Sequence, residues 1–209
     1  KDPGRLALLQ NCFVEQAFAT QVYPQGAVIW LRLHPEDRIK TPYSSWNFDA
    51  TTTRMPEFTA PGLGRESNTV TIDAEFGDNA SGVLYALGGS GGGLALYMDK
   101  GVLVYEYNMM IIERTIARAA AKLPGGKPRI EVTTRLASAR PLSPAEVVLK
   151  VDGKEVGRTT VMRTVPAAFS ASETFDVGVD LGSSVSLDYI ERRPFRFDGK
   201  IESVQVRLN

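Results

Sequence analysis

The sequence feature that most constrains the fold is a period-two alternation of apolar and polar residues, which begins near Asn68. Val70, Ile72 and Ala74 alternate with polar residues, and short runs of similar kind recur to the end of the chain, each closed by glycine, proline or aspartate. Such runs indicate antiparallel strands, because successive side chains of a strand point to opposite faces of a sheet. The strands expected after the first lie at 83–87, 94–98, 102–107, 111–117, 129–136, 147–151, 156–161 and 201–208.

Two of the connections between these runs have the composition of tight hairpins. Asp99-Lys100-Gly101 separates 94–98 from 102–107, and Asp152-Gly153 separates 147–151 from its return strand. An Asp-Gly pair readily adopts the positive backbone dihedrals that a two-residue hairpin turn requires. Both connections therefore predict adjacent, antiparallel strands.

The first sixty residues follow other patterns. Asp2 as N-cap, Pro3 in the first turn, and Leu6, Leu9 and Phe13 at helical spacing predict a helix that ends near Thr20. The stretch that follows is rich in proline, which argues against continuous helices or sheet ladders. We expect an irregular, extended connector over 23–60, with aromatic residues held on a neighbouring surface.

Many short strands with little helix favour an all-β fold. The expected architecture is an antiparallel β-sandwich, a jelly roll of the concanavalin or laminin-G type, preceded by one N-terminal helix and the irregular connector. Its boundaries are 1–22 for the helix, 23–60 for the connector and 61–209 for the sandwich.

Composition excludes several classes of function. The 24 Lys and Arg residues are balanced by 24 Asp and Glu, so no net field favours nucleic acid or an anionic membrane as partner. One cysteine, Cys12, excludes an internal disulfide framework, and one histidine, His34, excludes a histidine-rich metal cage. No membrane span or signal peptide is visible, and the compartment stays open.

Two motifs that suggest catalysis or phosphate binding have ordinary structural explanations. The glycine cluster 88–93 is followed by Leu94-Ala95, where a P-loop needs Lys-Ser or Lys-Thr, so a turn between strands is favoured. Asp73 and Glu75 share one face of a strand, as paired carboxylates do in some glycosidases. No third acidic residue accompanies them, and solvent-facing acids on a half-buried strand are the usual case.

Two further groups of residues are candidate binding sites. Asp176, Asp180 and Asp188 stand among glycines, and oxygen-rich loops of this kind can hold calcium; Asx-turns are the alternative. Aromatic residues that could stack on a sugar are Tyr43, Trp46, Tyr105 and Tyr107. For Tyr105 and Tyr107, the apolar Leu103 on the same strand face favours burial instead.

Six segments in order resemble the C-terminal region of large bacterial arylsulfatases. They are LHPEDRIKTPY at 33–43, TRMPEF at 53–58, VYEYN at 104–108, FDVG at 175–178, VSLDY at 185–189 and PFRFDGKI at 194–201. The resemblance implies a bacterial protein, cytoplasmic or periplasmic, in which residues 1–22 form the last helix of a preceding catalytic sulfatase domain. In that family the chemistry depends on calcium and on a formylglycine made from cysteine in a Cys-x-Pro-Ser-Arg context. Cys12 is followed by Phe13, so it does not match that motif, and the family's calcium ligands have no counterpart in this chain. The resemblance therefore places formylglycine and its calcium in the preceding catalytic domain.

The expected function is a non-catalytic accessory domain that packs on the sulfatase domain of the same chain and shapes its substrate cleft. A carbohydrate-binding, lectin-like module is the alternative, and an autonomous hydrolase is a third possibility. The residues expected to face a partner or ligand are Trp46, Arg54, Tyr105, Glu106, Tyr107 and Asn108.

Overall fold

The protein is described by a computed structural model that covers residues 2–19, 34, 42–170 and 172–209. This part of the chain contains one α-helix, twelve strands and a 3-10 helix at Leu187–Arg192. The α-helix is α1 (Pro3–Ala19), and the strands are β1 (Ser45–Phe48), β2 (Met55–Pro56), β3 (Asn68–Glu75), β4 (Gly82–Gly89), β5 (Gly92–Asp99), β6 (Val102–Met109), β7 (Glu113–Arg118), β8 (Arg129–Leu136), β9 (Ala145–Val151), β10 (Lys154–Val161), β11 (Thr174–Val177) and β12 (Lys200–Leu208).

The strands form two antiparallel sheets of six strands each. Sheet A has the order β1-β12-β3-β8-β9-β10, and sheet B has the order β2-β11-β4-β5-β6-β7. The predicted all-β sandwich is therefore confirmed, and the predicted strand 129–136 has the observed bounds of β8.

The main core lies between the two sheets and is built from the inward-facing side of each strand. On β3, Val70, Ile72 and Ala74 are buried while the residues between them are partly exposed. Their partners across the core include Tyr105 and Phe175 from sheet B. The alternation in the sequence thus marks a sheet with one buried face and one solvated face.

Both predicted hairpins are present, and their turn residues have the dihedrals that motivated the prediction. Lys100 and Gly101 have φ of 51° and 86°, and Asp152 and Gly153 have φ of 49° and 77°. The glycine cluster 88–93 turns the chain from β4 into β5, as predicted. A Cβ at Gly88 would lie 2.4 Å from the carbonyl oxygen of Gly92, so close backbone approach explains the glycine there.

The expected connector differs from the structure over its second half. Residues 20–33 and 35–41 lie outside the described part of the chain, but Ser45–Phe48 pairs with β12 and Met55–Pro56 pairs with β11. The expectation that prolines prevent ladders was wrong here. Strand β1 contains no proline, and Pro56 lies on the edge strand of sheet B, where a missing N–H leaves no partner unsatisfied.

Helix α1 begins and ends close to the predicted residues. The Asp2 carboxylate accepts hydrogen bonds from the N–H groups of Gly4 and Arg5, which confirms the N-cap, and the helix ends at Ala19. Leu6, Leu8, Leu9 and Phe13 of this helix are more than half exposed. The assignment of residues 1–22 to a preceding catalytic domain stays a prediction. Among the described helices, none has the length and apolar character needed to span a bilayer.

Candidate functional site

The outer face of sheet B is closed by the segment 183–195. Val185, Tyr189 and Phe195 of this segment form a second apolar cluster with side chains of β4, β5 and β6. The Tyr189 ring lies 5.0 Å from the ring of Tyr97 on β5, centroid to centroid, and 4.9 Å from that of Phe195. The central strands β4, β5 and β6 of sheet B are therefore buried on both faces, and on β6 only Val102 is partly exposed.

Four of the residues that were predicted to face a ligand lie on β6 and are buried. Tyr105 and Tyr107 point into the main core and are 1% and 2% exposed, so they cannot act as stacking platforms. The Tyr107 hydroxyl donates to the carbonyl of Gly64 at 2.7 Å and accepts from the N–H of Val165 at 2.7 Å. The burial that Leu103 indicated for this strand face is confirmed.

Glu106 and Asn108 lie on the opposite face of β6 and have structural partners. Glu106 is fully buried and forms a bidentate ion pair with Arg114, whose pKa is raised chiefly by this hydrogen bond. The same guanidinium also donates to Asp188 at 3.0 Å, which fastens the segment 183–195 to the sheet. Asn108 donates to the Ser90 carbonyl at 3.0 Å and accepts from the N–H of Ile111 at 2.9 Å. The prediction that these two residues face a ligand was wrong.

Arg54 and Asp176 contact each other through the Arg54 backbone. The Arg54 N–H donates to Asp176 Oδ1 at 2.6 Å, and the Thr174 hydroxyl donates to Oδ2 at 2.8 Å. Arg54 itself has a φ of 57° and an exposed side chain. This contact therefore holds the turn before β2 against β11.

The three aspartates predicted as calcium ligands are not brought together. Asp180 accepts from the Tyr189 hydroxyl at 2.6 Å and from the Val185 N–H at 2.9 Å, whereas Asp188 is paired with Arg114 and Arg118. Within residues 2–19, 34, 42–170 and 172–209, no cluster of three or more His, Cys, Asp or Glu side chains could hold a metal ion. Asp188 and one oxygen of Asp180 are bound by protein donors instead, so the three carboxylates do not form the oxygen-rich cage that calcium requires.

Asp73 and Glu75 do share the outer face of β3, but each contributes to surface ion pairs. Asp73 accepts from the Ser203 hydroxyl at 3.1 Å and lies 4.0 Å from Arg129, and Glu75 lies 3.1 Å from Lys127. This arrangement supports the structural explanation of the two carboxylates over the glycosidase one.

The outer face of sheet A carries an open groove of about 590 Å³ on β1, β12 and β3. Its floor has two rows of outward-facing side chains that are in register across the three strands. One row is Ser45, Arg207 and Thr69, and the other is Asn47, Gln205 and Thr71. Two strand spacings set the width of this six-residue grid at about 10 Å.

The grid consists of side chains that hydrogen-bond readily and are almost entirely uncommitted. In the described part of the chain, Thr69 accepts a hydrogen bond from Asn209 at 3.1 Å, and the other five side chains have no hydrogen bond or ion pair. Farther along the same sheet face, Glu131 pairs with Lys150 at 3.1 Å, and Arg158 pairs with Glu146 at 3.2 Å. The groove is therefore the part of this face whose polar groups are available to a ligand.

Two predicted aromatic residues lie near this groove. Trp46 borders it, although its side chain is half-buried and packs against the main core. Tyr43 lies two residues before Ser45 and is 67% exposed. The sequence patterns predicted both aromatic residues as candidates for stacking on a sugar. They did not predict the grid, because its only local signal is the alternation of polar residues on β1, β3 and β12.

The fold of the chain is similar to that of several solved structures. No protein-family model matches it, and no curated protein does. The CBM40 module of a Ruminococcus gnavus IT-sialidase, solved with α2,6-sialyllactose, matches with a TM-score of 0.53 and 14% identity, over 78% of this chain and 91% of that chain.

Two other solved structures share the fold over smaller parts of their own length. A leech intramolecular trans-sialidase, complexed with 2,7-anhydro-Neu5Ac, has a TM-score of 0.51 at 11% identity, over 79% of this chain and 26% of that chain. Domains LG4-5 of the mouse laminin α1 chain have a TM-score of 0.50 at 14% identity, over 82% and 44%. At these identities the matches show the fold alone, and they confirm its laminin-G-like character.

Proposed function

We propose that this chain is a non-catalytic carbohydrate-binding module whose ligand lies in the groove of sheet A. The observation that supports the proposal is the grid of hydroxyl, amide and guanidinium groups that are almost entirely uncommitted within the described residues, on a sheet face where other charged side chains form ion pairs. Sugars present hydroxyl groups that both donate and accept, and Ser, Thr, Asn and Gln side chains complement both roles. The fold shared with a sialidase CBM40 module adds to this argument by analogy.

The chemistry of the grid favours binding over catalysis. It contains no carboxylate, histidine or cysteine, so it offers neither a nucleophile nor a general base. Each neutral hydrogen bond contributes a net of about 0.5–1.5 kcal/mol, and association itself costs several kcal/mol. We therefore expect weak binding to a single site, with dissociation constants of micromolar to millimolar order.

An accessory role beside a sulfatase domain, which the resemblance to arylsulfatases implies, stays a prediction. It is compatible with carbohydrate binding, because a module that binds glycans can hold a neighbouring catalytic domain near its substrate. Enhanced local concentration of this kind needs no further contact between the two domains.

A glycan array tests the proposal, with the chain applied at high concentration both with and without a calcium chelator. The wild type is compared with the double variant Thr71→Ala/Gln205→Ala and with Thr160→Ala, which makes the same Thr→Ala change on the exposed face of β10 at the far edge of sheet A. Thermal melts establish that the variants are folded.

We expect the wild type to bind at least one class of glycan regardless of chelator. The double variant should lose about tenfold or more in affinity, since two hydrogen bonds are removed, while Thr160→Ala stays within about twofold. Failure to bind any glycan in either condition, or equal binding by the double variant, would refute the proposal.

A further inference from the structure

We propose that the groove prefers anionic carbohydrates, and that Arg207 pairs with their carboxylate or sulfate group. This inference rests on the proposed function and assigns the class of ligand. Arg207 lies between Ser45 and Thr69 in register, on the outer face of β12, and its side chain is exposed. The guanidinium is thus flanked by two hydroxyl side chains on the floor of the groove.

The distribution of charge on sheet A makes Arg207 unusual. Most cations of this face are paired, since Arg129 lies 4.0 Å from Asp73, Lys150 lies 3.1 Å from Glu131, and Arg158 has two acidic partners. In the described ranges, Arg207 takes part in no ion pair, and it is the one charged residue that lines the groove.

The charge of the outward residues along β3 is also graded. The outward residues of β3 run from Thr69 and Thr71 to Asp73 and Glu75, so the acidic half lies away from the groove. Those two acids are matched by Arg129 and Lys127. The acids nearest the groove are therefore already neutralised, and the positive charge in the groove is not.

A second cation reinforces this gradient. Arg135 on β8 is exposed, and within the described residues it has no ion-pair partner. Ser67 connects the end of β8 to the groove. Its hydroxyl accepts a hydrogen bond from the N–H of Leu136, the residue after Arg135, at 3.0 Å, and its carbonyl accepts one from the N–H of Asn209 at 2.9 Å. Arg135 and Arg207 thus lie toward the same end of the sheet, opposite Asp73 and Glu75.

The geometry of the guanidinium determines which groups of a ligand Arg207 binds most strongly. Its planar fork of N–H donors matches the paired oxygens of a carboxylate or a sulfate, and charge-assisted hydrogen bonds of this kind are about twice as strong as neutral ones. A neutral sugar has no opposite charge to offer the guanidinium, so it gains hydrogen bonds from the same grid but no ion pair. We expect a preference of about tenfold for an anionic ligand over its neutral counterpart.

Three probes with a common lactose core test this preference: lactose, 3′-sialyllactose with a carboxylate, and 3′-sulfolactose with a sulfate. Their affinities are measured by titration calorimetry or NMR for the wild type, Arg207→Gln and Arg207→Lys. Arg196→Gln is the matched control, because Arg196 is an exposed arginine outside the groove. The acidic and neutral members of the glycan array extend the same comparison to other cores.

We expect one or both anionic probes, or acidic array members, to bind about tenfold more tightly than the neutral counterpart. Arg207→Gln should abolish that preference, Arg207→Lys should retain part of it, and Arg196→Gln should retain all of it. Added salt should weaken the anionic ligands selectively, since the pair is exposed to solvent. The stronger of the two anionic probes identifies the carboxylate or the sulfate as the preferred group.

Two outcomes overturn the inference without affecting the proposed function. One is equal binding of neutral and anionic glycans that still depends on Thr71 and Gln205, and the other is an anionic preference that survives Arg207→Gln. Absence of binding to all probes and all array members instead refutes the proposed function, and the inference with it.

Discussion

Asp180 is an ionisable group in a position where its charge is costly. It is 1% exposed, and although Oδ2 accepts two hydrogen bonds, the buried Oδ1 has no partner in the described structure. Burial raises the pKa of Asp180 from 3.8 to about 6, against the opposing effect of the hydrogen bonds from Tyr189 and Val185. The charges of Asp176 and Glu173 raise the pKa of Asp180 further.

The raised pKa determines how stability changes with pH. Between pH 3.8 and about 6, the folded chain holds a proton on Asp180 that the unfolded chain has released, so the free energy of unfolding falls as the pH rises. Each pKa unit corresponds to about 1.36 kcal/mol, and the difference between 3.8 and about 6 gives about 3 kcal/mol. This contribution is fully present below pH 3.8 and is lost once the pH has passed the folded value.

The variant Asp180→Asn tests this reasoning because its side chain is neutral at every pH. Relative to wild type, the variant should gain about 3 kcal/mol in the free energy of unfolding between about pH 4 and about pH 7.5. Urea melts at four pH values measure the gain. Asp152→Asn, on an exposed turn that tolerates asparagine, is the control and should show little change. If the free energies of unfolding of wild type and Asp180→Asn differ by the same amount at every pH, the argument is refuted.

Two further substitutions test the packing account. Tyr107→Phe removes a hydroxyl that satisfies a carbonyl and an N–H, and it should lower the free energy of unfolding by about 1–3 kcal/mol in urea melts. Tyr105→Phe, whose buried hydroxyl has no partner within the described residues, should be neutral or stabilising; equal losses for both would contradict us. Ile111 is 77% exposed with a φ of 65°, so Ile111→Gly should relieve backbone strain and raise the Tm by a few degrees, and a lower Tm would count against strain.

The parts of the fold that the sequence predicted well are those with local signals. The alternation around Val70 and Ile72 needs only the period of a strand, and Asp152-Gly153 needs only the dihedrals of a tight turn. The N-cap Asp2 is similarly local. Each of these features depends on residues a few positions apart, so the pattern alone was sufficient.

The edge strands β1 and β2 depend on partners far away in the chain. Ser45–Phe48 pairs with residues at the end of the sequence, in β12, and Met55–Pro56 pairs with β11. A strand of two to four residues has too few positions to show a period. Its existence follows from the partner, which a local pattern does not identify.

The candidate site was mispredicted on β6 because the central strands of sheet B are covered on both faces. Alternation of Tyr105 and Tyr107 with Glu106 is typical of a strand with one solvated face. In the structure, the polar face carries the buried Glu106–Arg114 pair under the segment 183–195. Charge on a strand therefore did not indicate solvent here, because an ion pair accommodates the buried carboxylate.

The groove of sheet A could not be read from any one segment. Asn47, Thr71 and Gln205 are each ordinary outward residues of a strand, and only the register of β1, β12 and β3 places them in one row. The absence of partners for these side chains among the described residues is likewise a property of the assembled face. A site of this kind emerges from topology, which the sequence patterns did not determine.

The most direct test of the central claim is an NMR titration of the isotope-labelled chain with the glycan that binds most tightly on the array. We predict that the amide shift changes will concentrate at Asn47, Thr71, Gln205 and Arg207 and in their neighbours on β1, β3 and β12. Changes confined to sheet B, to the segment 183–195 or to helix α1 would show that the ligand site lies elsewhere and would contradict the account.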